Sequence, residues 1–436
     1  MYSDGVLGTP ESRDQDIEEL IDRARGIVED MELVKDQFEK CVKEPMNLRL
    51  KQLHRLVENS FPQIRNFHDK VSVEFEKQED VKSFWSEIYF AKLTVKEGEE
   101  DVDRDLPETV FIKIPRVGEN VLRTEDEEEM DDLRKVLIYY IKKENLFYQH
   151  FPFNSIPNFP FPRVLHSENI TGEATGGLVA ENLADKVYAV EHVPGLNEGK
   201  VKRLMEALAG LHGHLIRRTD KGYVDSFREG AHGRQTFSKE MQKMMFEEAT
   251  YLETIAPEIF GNSRIQSLKW AFDYDYKNKV IEDAISAIPG ILAHTDMNVT
   301  NLLWTRDSDD IGAIIDFQMM IIGSVAHDIV RILTLTLGRE ERKLGTEGYL
   351  RHYYDTLSGF FNGDQVPFSW KELNRQYSLI YPISSNFTLF GISIYIKMYS
   401  DGTLGSPEFK DENCKELIDR ARGIVEDIEA LKPDHL

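Results

Sequence analysis

The stretch that decides the fold runs from Ile291 to Asp328: ILAHTDMNVTNLLWTRDSDDIGAIIDFQMMIIGSVAHD. Two pieces of chemistry sit in it. The first is His294-Thr295-Asp296, with Asn301 five residues after the aspartate. The second is an apolar run, Ala313-Ile314-Ile315, that ends in Asp316-Phe317-Gln318. Turn chemistry accounts for an Asp or Asn in a loop. It does not account for an apolar strand that delivers a lone acid at its end. An H-x-D-x-x-x-x-N loop followed by such a strand is what metal-assisted phosphoryl transfer needs. One acid orients the attacking hydroxyl and takes its proton, while an amide oxygen and a second acid hold the magnesium that bridges the nucleotide phosphates.

His294 through Trp304, followed by Ile314-Ile315-Asp316-Phe317-Gln318, resembles the CHK kinase-like family. This is the nematode- and insect-rich group of ecdysteroid-kinase-like proteins, which stands with aminoglycoside phosphotransferases and choline kinases in the protein-kinase-like superfamily. The family commonly reads H-G-D-x-W-x-x-N and I-I-D-W-Q. This chain departs from it at Thr295, Asn298 and Phe317, and keeps the three polar positions. The resemblance implies an α+β, bilobal protein-kinase-like fold, with a small antiparallel β-sheet N-lobe and a mostly helical C-lobe. It implies ATP and Mg2+ as cofactors, Asp296 as catalytic base, and Asn301 and Asp316 as magnesium ligands. His294 joins the catalytic group by buttressing the loop with Asp328, which also stands at the start of an apolar helical run as a cap.

Upstream, Leu106 to Pro115 contains an apolar β-run with Lys113 inside it, where lysine is depleted. It matches the V-A-I-K pattern, whose lysine holds the α- and β-phosphates. The helix predicted over 133–151 carries Glu144 among Leu137, Tyr140, Ile141 and Tyr148, where an unpaired acid is costly. A Lys113–Glu144 ion pair satisfies both charges. Alternation from Lys70 to Glu76 and the run from Ile88 to Val95 predict two strands joined by a turn at 80–87. In a kinase-like fold that hairpin covers the phosphates. The glycine common in the family's turn is absent here, which leaves backbone amides and the hydroxyls of Ser83 and Ser86 as phosphate donors. Glu181-Asn182-Leu183 stands where the lobes join, and its backbone is placed to bind adenine. The aromatics Phe246, Tyr251, Trp270, Phe272 and Tyr274 are assigned by position to an acceptor pocket.

With 436 residues the chain is long enough for a bilobal unit, and its net charge of −24 argues against nucleic acid or an anionic membrane as partner. Two cysteines make no disulfide framework, so a reducing, cytoplasmic setting is expected. No apolar stretch reads as long enough to span a membrane. The organisation expected is 1–45 as an N-terminal helical segment, 46–185 as N-lobe and 186–436 as helical C-lobe. The N-terminal segment is a repeat: residues 1–35 match 398–432 at 24 of 35 aligned positions. Met1 aligns with the internal Met398, as if the tail of a neighbouring gene copy were joined in front. The functional alternative is an N-terminal helix that competes for, or pairs beside, the place of the C-terminal one.

Together these features predict an ATP-dependent phosphotransferase acting on a hydroxyl of a small molecule. Only 26 positions separate Asp316 from Arg342, too few for an activation loop with an A-P-E segment, which favours a small acceptor over a protein. The resemblance implies sterol-, choline- or aminoglycoside-like acceptors, and an acidic C-lobe suits a cationic one. The alternative is a catalytically impaired nucleotide-binding pseudokinase or interaction protein. The oligomeric state is left open.

Overall fold

The computed structural model of the chain describes residues 46–78, 86–99, 102, 106–116, 127–171, 175–228, 239–288, 290–361, 365–405 and 407–433. The N-terminal segment 1–45 and Ser83 lie outside the described residues. Five strands, β1 (Val71–Lys77), β2 (Ser86–Val95), β3 (Thr109–Pro115), β4 (Val164–Ile170) and β5 (Thr175–Glu181), form one antiparallel sheet in the order β1-β2-β3-β5-β4. Successive side chains of a strand point to opposite faces. Ala91, Leu93, Val110, Ile112, Ile114 and Val179 therefore share one face. They are buried under helix α1 (Met46–Ser60), which adds Leu53, Leu56 and Val57. Burying each such side chain contributes about 1.5–3 kcal/mol. Lys113 lies between Ile112 and Ile114, so it points to the other face, toward helix α2 (Glu127–His150).

The sheet ends at Glu181, and the chain then enters a mostly helical region. Its short strands are β6 (Val187–Ala189), β7 (Ile291–Ala293), β8 (Leu302–Thr305), β9 (Ile311–Ile314) and β10 (Ile321–Gly323). β6, β8 and β9 form one small sheet, and β7 pairs with β10. The main helices are α3 (Glu198–Arg217), α4 (Lys239–Ala249), α5 (Tyr274–Ala287), α6 (Ala326–Thr336), α7 (Arg339–Gly359), α8 (Trp370–Ser400) and α9 (Lys410–Ala430). α3 begins where the Asn197 side chain accepts from Lys200 N–H, one of the orphan donors of a helix start. Its Leu204, Leu208, Leu211 and Leu215 are all fully buried. Gly210 lets α3 approach the loop before β4, because a Cβ there would lie 1.8 Å from the Pro157 carbonyl oxygen.

Three expectations need correction. β2 begins at Ser86, so Ser86 belongs to the strand rather than to the turn. Asp328 is the third residue of α6 and does not cap it. The cap position is Val325, with no side-chain bond. Helix α8 continues through Pro382. Ile380, Tyr381, Ile383, Leu389, Ile392 and Ile396 pack into one apolar cluster on both sides of the proline, and that burial outweighs the missing N–H bond. Finally, α8 is long and apolar enough to cross a membrane, at a mean hydropathy of 1.4, but 72% of that window is buried inside the fold.

Candidate active site

Lys113, Glu144 and Asp316 meet in the cleft between the sheet and the helical lobe. Lys113 Nζ lies 2.8 Å from Glu144 Oε2 and 2.7 Å from Asp316 Oδ1. An aromatic contact aligns the three. Phe147, on the same helix as Glu144, stacks on Phe317 at 3.7 Å between ring centroids, with the planes 10° apart. Phe317 follows Asp316, so this stack ties α2 to the loop after β9. Burial works against the Lys113 ammonium, but the Asp316 and Glu144 carboxylates outweigh it and hold Lys113 above the ordinary lysine value. Burial, reinforced by Asp316 and opposed by Lys113, pushes Glu144 up.

The loop carrying Asp296 is fixed through its backbone. Asp328 is 1% exposed, and its carboxylate accepts from His294 N–H at 2.8 Å and from Thr295 N–H at 2.7 Å. The His294 Nε2–H donates to the Ile315 carbonyl at 2.9 Å, and its Nδ1 accepts from Asp296 N–H at 3.3 Å. This bonding, which fixes the tautomer, ties the Asp296 loop to the strand end that carries Asp316. Thr295 stands at φ 64°, the left-handed region. That conformation is costly for a β-branched residue and cheap for glycine. The Thr295 hydroxyl offsets part of the cost by donating to the Met319 carbonyl at 2.8 Å. Asp316 also has a left-handed backbone, at φ 69°.

Asn301 Nδ2 donates to the Asp296 carbonyl at 3.0 Å and to Asp296 Oδ2 at 3.1 Å. With its donor spent on Asp296, the amide oxygen of Asn301 is left as an acceptor. The Ile315 N–H donates to the Asn301 carbonyl at 3.1 Å, so Asp316 is the residue after one paired to Asn301. A carboxylate and an amide oxygen placed in this way form a hard-oxygen pair of the kind Mg2+ takes, together with water and phosphate. The Lys113 ammonium lies beside that pair, on Asp316 Oδ1. The residues present therefore fit a magnesium–nucleotide complex. No cluster of three His, Cys, Asp or Glu side chains that could hold a metal occurs among the described residues.

Arg331, on α6, was not singled out from the sequence. It is 2% exposed, and its Nη2 lies 3.7 Å from Asp296 Oδ1. Its Nη1 donates to Thr388 Oγ1 at 3.0 Å, its guanidinium lies 4.3 Å above the Phe387 ring, and its Nε has no partner. Burial pushes Asp296 up, and Arg331 opposes the shift. The signal was available in Asp328-Ile329-Val330-Arg331-Ile332-Leu333, where a charge stands in an apolar run as Lys113 does in β3. Nearby, the Asn298 side chain bridges His192 Nε2 at 3.1 Å and the Tyr395 hydroxyl at 2.6 Å.

Three assignments made by position fare differently. Ser86 is 3% exposed and shares the Lys113 face of the sheet, while its carbonyl accepts from Arg116 Nε at 3.1 Å. Glu181 ends β5, and its carboxylate is engaged by Arg163 N–H at 2.8 Å. The aromatics assigned to the acceptor pocket make packing contacts. Phe272 is buried in the cluster under α8 with Phe246 against it, Trp270 meets Tyr276, and Tyr251 meets Lys397. Core packing claims these rings, as it does most large apolar side chains.

A family profile described as "Uncharacterized oxidoreductase dhs-27" (DUF1679) matches residues 74–435. The Caenorhabditis elegans protein named uncharacterized kinase-like protein D1044.1 is 31% identical over 383 residues, covering 86% of this chain and 98% of that protein. The C. elegans protein named uncharacterized oxidoreductase dhs-27 is 24% identical over 219 residues, covering 48% of this chain. The chain spans only 26% of that longer protein's length, and the oxidoreductase name describes the longer protein. Among solved structures, a Plasmodium vivax ethanolamine kinase superposes with a TM-score of 0.41 at 12% identity, covering 86% of this chain and 85% of its own. The GDP complex of aminoglycoside 2'-phosphotransferase-IIIa superposes with a TM-score of 0.40 at 12% identity, covering 87% of this chain and 98% of its own. Scores at that level say nothing about substrate.

Proposed function

The chain belongs to the CHK kinase-like (DUF1679) family, and from that premise we propose that it transfers the γ-phosphoryl of ATP to a hydroxyl of a small molecule. The observation that carries this reading is the convergence of Lys113, Glu144 and Asp316 at 2.8 and 2.7 Å, beside a loop in which Asn301 is bonded to Asp296. Lys113, positioned by Glu144, holds α- and β-phosphate oxygens. Asn301 and Asp316 hold Mg2+. Magnesium–ATP, when bound, supplies the phosphoryl group and offsets the charge that repels a nucleophile. Asp296 Oδ orients the acceptor hydroxyl and takes its proton as the oxygen attacks.

Arg331 supports a narrower acceptor class. A buried guanidinium 3.7 Å from the base opposes a cationic acceptor such as choline or an aminoglycoside, and favours an uncharged or anionic alcohol. The test has two stages. Thermal unfolding is measured with and without Mg-ATP, in the natural sequence and in Asp316→Ala. A ligand that binds the native state raises the midpoint by mass action, and the variant is expected to lose that rise. ADP release is then followed across neutral, anionic and cationic alcohols. A magnesium-dependent rise with no ADP release from any alcohol would favour the pseudokinase reading. No rise at all would remove the nucleotide site.

A further inference from the structure

The proposed phosphoryl transfer makes no use of the sequence repeat. Its C-terminal copy forms α9, and the structure shows which side chains dock it. Leu417, Ala421, Ile424, Val425 and Ile428 are fully buried. Arg420 is 1% exposed; its Nη1 donates to the carbonyls of His192 and Leu335, each at 2.8 Å, and its Nη2 to that of Pro194 at 2.6 Å. Glu426 accepts from Arg339 at 2.9 and 2.7 Å. Asp427 accepts from the Tyr381 hydroxyl at 2.7 Å and pairs with Arg342 at 3.1 Å. Glu429 accepts from Arg264 at 2.7 and 2.6 Å. Gly423 is required by shape, because a Cβ there would lie 2.6 Å from both Arg339 Cγ and Arg342 Nη2.

The N-terminal copy keeps this set almost intact. Glu19 to Asp30 repeats Glu416 to Asp427 without a change over twelve residues, and Glu32 repeats Glu429. Leu20, Arg23, Ala24, Gly26, Ile27, Val28, Glu29 and Asp30 thus reproduce the docking side chains at the same spacing. Of those docking residues only Ile428 differs, replaced by Met31, an apolar exchange of the kind cores tolerate. Complementarity depends on side chains and spacing, whatever the origin of the duplication.

We propose that the groove holding α9 accepts residues 14–35 of the same chain as an alternative occupant, so that one chain carries two copies of the docking sequence for one site. Residues 36–45 tether the N-terminal copy to α1. Ten residues reach up to about 35 Å, and a short tether gives an effective concentration on the order of millimolar. The two occupants bring nearly the same contacts, so the tethers and the few differing positions decide which one is bound. Arg23 reproduces Arg420, so the exchange leaves the His192 and Pro194 carbonyls held, and it stands independently of the phosphotransfer reading.

The test uses the full chain. Cys41 and Cys414 are replaced by Ser, and a short thiol-reactive crosslinker is applied to Arg264→Cys with Glu32→Cys. The reference is Arg264→Cys with Glu429→Cys, which reports α9 in the groove. A link from position 264 to position 32 within one chain is expected, and its yield is expected to rise when Ile424→Asp weakens α9. In parallel, Ile424→Asp is expected to keep a cooperative thermal transition. Ile27→Asp alone is expected to leave the midpoint unchanged. The double variant is expected to lose more than the two single changes combined. Absence of the 264–32 link while the reference pair links overturns the proposal, as does a link found only between chains. An Ile27→Asp change that adds nothing to Ile424→Asp, or an Ile424→Asp chain that does not fold at all, overturns it equally, because a competent second copy rescues the groove.

Discussion

Lys113 and Asp296 share one cleft and are held by opposite means. Charge fixes Lys113, through Glu144 from one helix and Asp316 from a distant loop, at 2.8 and 2.7 Å. Asp296 is held through its backbone. The Asp328 carboxylate, 1% exposed, clamps the two preceding N–H groups, and His294 ties the loop to Ile315. An ion pair can exchange partners at little cost when another charge arrives. A buried backbone clamp cannot let go without leaving polar groups unsatisfied. The site therefore sets an exchangeable cation against a rigidly held acid, and Asp316, 23% exposed, belongs to the exchangeable side.

Replacing the base removes chemistry and spares the scaffold. Asp296→Asn is expected to lower phosphoryl transfer by about 10²–10⁴-fold, the usual contribution of a positioned general base, with the thermal midpoint nearly unchanged. A large fall in the midpoint would mean that Asp296 is structural. Asp328→Ala attacks the clamp itself. It removes two charge-assisted bonds inside the fold, each contributing about 1.5–3 kcal/mol, so urea unfolding should show a loss of about 3 kcal/mol or more. A loss under about 1 kcal/mol would show that the loop holds without its clamp.

Lys113→Met breaks the other side. The expected cost is about 2 kcal/mol, below that of a fully buried pair because Asp316 keeps contact with water. The Mg-ATP-induced midpoint rise is expected to vanish with it. A rise that survives would mean that Lys113 does not hold phosphate.

The rigid lobe also predicts sensitivity to acid. Burial pulls His212 down to about 3, where its Nδ1 meets the Tyr353 hydroxyl at 2.7 Å. Unfolded histidine titrates near 6.5. Above that pH it is neutral in both states; below it only the unfolded chain takes up the proton. The stability contribution is therefore present above about pH 6.5 and is lost as pH falls toward the folded value. His212→Gln should lose about 1 kcal/mol less than the natural sequence between pH 7 and 5.5; equal losses would exclude His212 as the cause. The smallest effect is expected at Thr295. Thr295→Gly relieves a left-handed β-branched residue, worth about 1 kcal/mol, and removes the bond to Met319, worth about the same. Stability should shift by less than about 0.5 kcal/mol, and a larger fall would place the weight on the hydroxyl.

Local signals made much of this legible. Alternation marked β1, because a period of two follows from strand geometry alone. The charged residue in an apolar strand gave Lys113. The same signal stood at Arg331 and passed unread, since nothing local says what a buried arginine faces. The ring assignments for the acceptor side are a related case: Phe246, Trp270 and Phe272 pack in the cluster under α8, and composition does not separate packing from binding. Pro382 does not break α8, because burial on both sides of it overrides the local cost.

By itself, the sequence determined which residue types fit the proposed chemistry: an acid and an amide five residues apart, a second acid closing an apolar strand, and a lysine inside another. It also determined that one docking pattern occurs twice. Only the tertiary structure decided that Lys113 meets Asp316 across 203 residues, that Asp328 clamps a loop rather than capping its helix, and that Arg331 stands beside the base. The reason is physical. Spacing along the chain encodes contacts a few residues apart, whereas these charges are brought together by the burial of apolar faces that carry no record of which polar group will lie opposite.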